Sequence, residues 1–289
     1  MKKYKTADSI ADMDIVCRQP YMHYVKPFRI AGSVYYVGNQ VCSSHLVDTG
    51  DGLLLIDTPF ARQLPLLLQA IWELGFNPAD IRYILHTHAH ADHVGCTPAL
   101  VSLFGCKTAI GEADARTAEE RPELLLPMAD DPPFFIPDIR LVDGDAVRLG
   151  TVRVRAVATP GHTAGSTSYF FETVEDGVSL ICGIFGGSGF KTLSRDYFKD
   201  FHIVSDTRSQ FMQSLEKIRG EKVDVTLGRQ PGENATFEKL RRREQGAKKN
   251  PFIDPAEWDT LISEIMRRFI LFRAEDDANH NWMPRKKQP

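Results

Sequence analysis

Residues 87–93 read Thr87-His88-Ala89-His90-Ala91-Asp92-His93. Four potential metal ligands fall within six positions of a chain that has 9 histidines in all. Zinc takes imidazole nitrogen and carboxylate oxygen readily and favours four-coordination. Placement adds to the density. The apolar run Arg82-Tyr83-Ile84-Leu85-His86 predicts a short buried strand, and Ala91-Asp92-His93-Val94-Gly95 predicts a helix start. His88 and His90 alternate like residues on one side of an extended turn, whereas the adjacent Asp92 and His93 point in different directions. One segment can therefore feed two metal positions. The plain alternative is a set of surface or core histidines without a metal, and it leaves this spacing unexplained. The helical zinc motif HExxH is absent.

Working outward, strands are predicted at 28–30, 34–37, 44–48 and 53–57, with turns at Gly32, Gly38 and Gly50-Asp51-Gly52. Leu64, Leu67, Leu68, Ile71 and Leu74 carry helical periodicity over 62–75, which stops at Gly75. Past the histidines the order repeats: helix 97–104, strand 107–110, helix 112–120, then a proline-rich loop over 127–138. Strands return over 139–184, with Asp143-Gly144-Asp145 read as a hairpin turn. Helix 206–219, strand 223–227 and amphipathic helices at 235–247 and 255–274 follow. Two groups of strands interleaved with helices predict an α/β chain folded as a four-layer αββα sandwich. No linker or short repeat divides it, so residues 1–289 are expected to form a single domain, with 1–26 an extended lead-in and 275–289 a flexible tail.

Charge excludes some function classes. With 35 Lys and Arg against 38 Asp and Glu, the formal net charge is −3, and no basic field points to nucleic acid or an anionic membrane. Arg241-Arg242-Arg243 and Lys286-Lys287 read as solvated faces. No stretch approaches the roughly 18 apolar residues of a membrane span. The N-terminus is too polar for a signal peptide, so as written the chain is expected in the cytoplasm, or in the periplasm if a leader is missing. The 5 cysteines, Cys17, Cys42, Cys96, Cys106 and Cys182, are odd in number and lack CxxC spacing, which argues against a disulfide framework and a cysteine-type zinc site. Cys106 and Cys182 lie in apolar runs and are expected in the core. The expected partner is a small-molecule substrate, and the expected state a monomer.

Thr87–His93 resembles the signature of the metallo-β-lactamase superfamily, and the resemblance runs from about residue 28 to 274. It takes in Asp57 and the segment Pro160-Gly161-His162-Thr163-Ala164-Gly165-Ser166. It is most similar to the third (B-three) subclass, through the run Cys182 to Leu193 and through Pro231-Gly232-Glu233-Asn234. The resemblance implies that His88, His90 and His162 hold a first zinc and that Asp92 and His93 belong to a second site. Chemistry agrees, because three neutral imidazoles leave a position open for a water whose pKa falls to about 7, giving a hydroxide that attacks a carbonyl. Asp92 is the expected catalytic residue, orienting this nucleophile and carrying its proton.

The chain also departs from that pattern. Where the subclass places a last histidine ligand, Leu227-Gly228-Arg229-Gln230-Pro231-Gly232 carries Gln230, a weaker donor, and the chain resembles an atypical variant in this respect. Leu180–Phe185 offers no aspartate to bridge two metals. One tightly bound zinc is therefore expected, with the second site weak or absent. Arg229 and Lys191 are candidates to replace the second charge or to bind a substrate carboxylate. Phe134 and Phe135 are candidates for an apolar substrate wall. His86 is expected to orient a metal ligand, and His202 reads as a structural residue. The leading expectation is hydrolysis of a β-lactam. The alternatives are hydrolysis of a lactone, ester or thioester, and a metal-binding protein of low catalytic competence.

Overall fold

A computed structural model of the protein describes residues 19–126 and 134–281. Seven strands form the first sheet in chain order: β1 Phe28–Ala31, β2 Val34–Tyr36, β3 His45–Asp48, β4 Leu53–Ile56, β5 Ile81–Leu85, β6 Lys107–Gly111 and β7 Ile139–Leu141. The first four pair antiparallel, and β4 to β7 run parallel. The second sheet has β8 Ala146–Leu149, β9 Val152–Ala158, β10 Thr167–Glu175, β11 Val178–Ile184 and β12 Val225–Leu227, in the order β12-β11-β10-β9-β8.

Side-chain alternation explains the layering. All four residues of β4 are buried, but Leu54 and Ile56 face the space between the sheets while Leu53 and Leu55 face outward. The outward pair packs on helix α1 (Leu64–Glu73) through Leu67, Ala70 and Ile71. Helix α3 (Thr97–Phe104) lies on this side too, adding Leu100, and the short α2 (Ala91–Val94) puts Val94 in a separate cluster with Ile110 of β6. In the second sheet Tyr169 and Phe171 of β10 point inward, and Phe170 points out against Trp258. That outer face is covered by α6 (Thr207–Arg219) and by the long α8 (Glu257–Asn281), whose Trp258, Ile262, Ile265 and Phe269 form one apolar stripe. Helices α4 (Glu112–Glu120), α5 (Arg195–Asp200) and α7 (Thr236–Glu244) complete the set. Three apolar layers between four structural layers make the αββα sandwich expected above. Cys106 and Cys182 are buried, as expected.

The described part of the lead-in is not extended throughout, since Pro20–His23 form a 3-10 helical turn, and two boundaries also differ from the expectation. Asp143-Gly144-Asp145 does make a turn, with the Asp145 amide donating to the Val142 carbonyl at 3.2 Å. It does not close a hairpin, because β7 pairs with β6 and β8 pairs with β9, so the turn carries the chain from one sheet to the other. Asp138 commits β7 to the first sheet by accepting from the Thr108 amide of β6 at 2.8 Å. The hairpin turn lies instead at Gly150-Thr151, between the paired Leu149 and Val152. The last helix continues to Asn281, past residue 275 where a tail was expected. Residue 208 explains this, since the buried Arg208 pairs with Asp276 and Asp277 and holds the final turns down. Cys17, Lys286-Lys287, Pro132 and Pro133 lie outside the described residues. No helix among the described residues is long and apolar enough to cross a membrane.

Phe211 stands at the centre of the outer layer, in ring contact with Phe185, Phe190 and Phe269. Phe211→Ala should lower the unfolding free energy by about 3–5 kcal/mol, the usual cost of deleting a buried phenyl ring. Urea denaturation with an unchanged m-value checks this, and a loss under about 1 kcal/mol would mean that the layer repacks freely.

Candidate metal centre

Every loop that builds the site leaves the carboxyl end of a strand. Asp57 follows β4, residues 86–93 follow β5, Asp114 follows β6, His162 follows β9, residues 187–191 follow β11, and residues 229–233 follow β12. Such ends are where open α/β sheets gather ligands, because their loops converge on one rim.

His88, His90 and His162 meet there. Their ligand atoms lie within 4.8 Å of one another, and their ring centroids are 4.7–4.8 Å apart. Hydrogen bonds dictate which nitrogens face the centre. The Thr87 hydroxyl donates to Asp57 Oδ2 at 2.7 Å, so its lone pair accepts from His88 Nδ1 at 3.0 Å and leaves His88 Nε2 bare. His162 Nδ1 donates to the Gly189 carbonyl at 2.8 Å, which again leaves Nε2 as the free lone pair. His88 Nε2 and His90 Nε2 are buried without a hydrogen-bond partner. Buried polar atoms are rarely left this way, and a cation on the three imidazoles satisfies them. Burial, together with the neighbouring imidazoles and Arg229, holds His88 and His162 well below the ordinary histidine pKa. Burial likewise brings His90 down to about 4, against the pull of Asp92. All three are therefore neutral donors at pH 7, and the residues fit zinc.

Backbone constraints hold His162 in place. Gly161 has φ of +138°, and a Cβ there would meet the Phe211 backbone. Gly187 lies flat on the imidazole, where a Cβ would come within 2.5 Å of the ring. The Asp114 carboxylate, on α4, ties the two ligand loops together by accepting from the Ala89 amide at 2.9 Å, Thr163 Oγ1 at 2.8 Å and the Gly165 amide at 2.6 Å. Burial pushes its carboxyl up to about 6, restrained by these donors. Nothing in the local sequence marks Asp114, which sits among ordinary acidic helix residues; only the packing of α4 against the Gly165 backbone singles it out.

Beside the trio lies a second group, His88, Asp92 and His93. His93 is clasped by Asp57 Oδ2 at 2.9 Å on Nδ1 and by Asp92 Oδ2 at 3.2 Å on Nε2. Burial opposes a charge on this ring, but the two carboxylates outweigh it and raise His93 to about 9. Burial would also raise Asp92, yet the charges of His93 and Arg229 hold it well below the usual carboxylate range.

The structure sorts the remaining candidates. Gln230 does reach this group, but its amide nitrogen approaches Asp92 Oδ2 at 3.4 Å, as a donor to the carboxylate. Arg229 is 4% exposed, with Nη2 on Ser188 Oγ at 2.7 Å and in an ion pair with Glu233. Its Nη1 stands 3.5 Å from His93 Nε2. With Nη2 committed to Ser188 and Glu233, this geometry counts against the expectation that Arg229 takes a substrate carboxylate. Lys191 is exposed on the rim of a cavity of about 540 Å3 that contains the histidines. Phe134 and Phe135 do not line that cavity. Phe135 is buried among Ala89, Val94, Ile110 and Leu125, with its ring against His86, and the apolar residues that line the cavity are Val41, Leu126 and Pro231. His86 holds the His93 carbonyl at 2.9 Å rather than a ligand ring, and His202 faces a different cavity. Ser188 and Glu233 lie in segments quoted above for the resemblance without being singled out there, and Arg268 carries no local motif.

Thr87→Val should leave the fold intact and weaken zinc binding about 10- to 100-fold, as loss of an orienting partner generally does. His162→Ala should abolish both activity and tight zinc binding, whereas Asp92→Asn should keep the first zinc and lose rate. Metal content after dialysis separates them, and equal zinc loss in the two would contradict this division of roles.

Residues 37–179 match the metallo-beta-lactamase superfamily. A crystal structure of a subclass B3 metallo-beta-lactamase of Bradyrhizobium japonicum is similar with a TM-score of 0.80 and 28% identity, covering 92% of this chain and 100% of that one. Native FEZ-1 metallo-beta-lactamase from Legionella gormanii gives a TM-score of 0.81 at 25% identity, covering 88% and 98%. The hydroxyacylglutathione hydrolase of Methylococcus capsulatus is 34% identical over 114 residues, 39% of this chain. The chain spans only 34% of the length of that curated relative.

Proposed function

The chain belongs to the metallo-β-lactamase superfamily of metal-dependent hydrolases, and on that premise we propose that it opens the amide of a β-lactam ring with a single zinc ion. The observation that carries the reading is the pairing of a complete three-histidine site with a buried guanidinium at the second position. His88, His90 and His162 would hold the zinc, which supplies Lewis acidity and lowers the pKa of a water to about 7. The chain's own groups do the rest. Asp92 lines the cavity as an ionised carboxylate, steadied by His93 at 3.2 Å and Gln230 at 3.4 Å. It orients the attacking water and takes its proton. As the new C–O bond forms and the C–N bond of the ring breaks, Asp92 passes that proton to the departing nitrogen. Arg229 supplies a fixed positive charge beside His93 Nε2, the nitrogen a second metal would need. Two like charges at this spacing repel, so the guanidinium disfavours a second zinc.

Thioester hydrolysis is the second reading, favoured by the likeness to hydroxyacylglutathione hydrolases. The whole-length likeness to B3 β-lactamases weighs more. The metal-ligand groups among the described residues also contain no carboxylate other than Asp92.

Two measurements test the proposal. The dialysed protein should hold about one zinc per chain, and Arg229→Ser combined with Gln230→His should bind a second zinc more tightly than Gln230→His alone. Turnover should be compared on a penicillin, a cephalosporin, a carbapenem, an S-acylglutathione and a homoserine lactone. kcat/KM for the best β-lactam is expected to exceed that for the thioester at least about tenfold, or ~1.4 kcal/mol of transition-state stabilisation. The reverse order would replace this reading with the second, and two tightly held zincs in the unaltered protein would refute the role given to Arg229.

A further inference from the structure

His45 is a polar ring in an apolar layer. It opens β3, where Val47 faces the space between the sheets and Leu46 faces outward, so alternation turns His45 inward with Val47. The ring is buried and stands edge-on to Tyr36, with centroids 5.9 Å apart. Burying an imidazole among apolar side chains is costly unless a hydrogen bond offsets it. His45 Nε2 donates to the Gly228 carbonyl at 3.0 Å, and Gly228 lies just past β12, in the other sheet. Burial lowers the pKa of the ring and keeps it neutral, with one proton to give. A carbonyl only accepts, so that proton sits on Nε2, and Nδ1 is left buried without a partner.

The bond fixes the start of the Arg229 segment. Arg229, Glu233 and Ser188 bond to one another, and all three follow strands of the second sheet. Asp57, Asp92 and His93 follow strands of the first. The 3.5 Å approach of Arg229 Nη1 to His93 Nε2 therefore depends on how the two sheets are held together at this rim. The Ser43 amide, just before β3, donates across the gap to the Arg229 carbonyl at 2.9 Å, and His45 takes the carbonyl before it. On its own sheet Gly228 packs flush against Asn234, where a Cβ would come within 2.5 Å of Oδ1. Asn234 in turn donates to the Thr226 carbonyl of β12 at 2.8 Å.

We propose that His45 is a positioning residue for Arg229: its bond to Gly228 holds the guanidinium against His93 and so keeps the second metal position closed. The proposal rests on the reading above in which Arg229 disfavours a second zinc. The Ser43 bond is made by backbone and survives any side-chain change. The His45 bond is the half that a substitution removes.

Zinc titration by calorimetry tests this without turnover, with Gln230→His in every protein so that the second site is strong enough to measure. His45→Leu should raise affinity for the second zinc about three- to tenfold and leave the first unchanged, because a loosened guanidinium repels the ion less. His45→Gln, whose amide nitrogen can take the place of Nε2, should restore the parent value. Adding Arg229→Ser should remove the effect of His45→Leu, since His45 then has no guanidinium to position. General loosening of the site would act with or without Arg229. If His45→Leu does not fold, His45→Asn replaces it, as the shorter amide stops short of Gly228. No rise in His45→Leu although Arg229→Ser gives one, or a rise that persists without Arg229, would overturn the role of His45 and leave that of Arg229 intact. Second-site affinity unchanged by Arg229→Ser would overturn both.

Discussion

The buried carboxylate of Asp57 is the joint on which the site depends. It accepts from the Thr87 amide at 2.7 Å, from the Thr87 hydroxyl at 2.7 Å and from His93 Nδ1 at 2.9 Å. To reach all three, the residue adopts φ of +58°, a region that side chains other than glycine seldom occupy. The consequence runs outward one bond at a time. A Thr87 hydroxyl committed to Asp57 can only accept from His88, and that assigns the His88 tautomer and exposes its Nε2. The same carboxylate places His93 with its other nitrogen toward Asp92 and Arg229. A strained backbone at one strand end is thus offset by three hydrogen bonds to a charged acceptor, each stronger than a neutral one.

Charge is arranged in two tiers around this joint. The inner tier is balanced within the protein. Asp57 and Asp92 flank His93, and Glu233 offsets Arg229, so removing one member would leave a buried partner uncompensated. The outer tier, Lys191 and Arg268, is not balanced and faces solvent across the cavity. The difference is physical: a buried ion needs its partner within the fold, while an exposed one is solvated. The inner charges are thus closed on one another, while the outer ones stay open to solvent.

The fold was largely legible because its signals are local. Apolar runs of four or five residues, turn glycines and helical periodicity mark β1–β6, α1, α3, α6 and most of α8 to within a few residues. The exception at Asp143-Gly144-Asp145 is instructive. A tight turn between two short strands looks the same in sequence whether the strands pair with each other or with others. Here Asp138 on the Thr108 amide and the β8–β9 hairpin send them to different sheets.

The site divides along the same line. By itself the sequence marked the ligand candidates, because His88, His90, Asp92 and His93 lie within six residues, while the folded structure brings His162 to His88 and His90 and sets His88, Asp92 and His93 as a second group. The tertiary structure alone decided what surrounds them. Asp114, Ser188, Glu233 and Arg268 come from four separate parts of the chain, and their meeting around the three histidines depends on how two sheets and α8 stack. The same stacking buried Phe135 against His86 instead of opening it to the cavity. It also closed Arg229 onto Glu233, so that a residue legible only as a surface cation became an internal charge beside His93. Local spacing marks which residues can serve as ligands, whereas partners far apart in the chain are chosen by burial, and burial is a property of the folded whole.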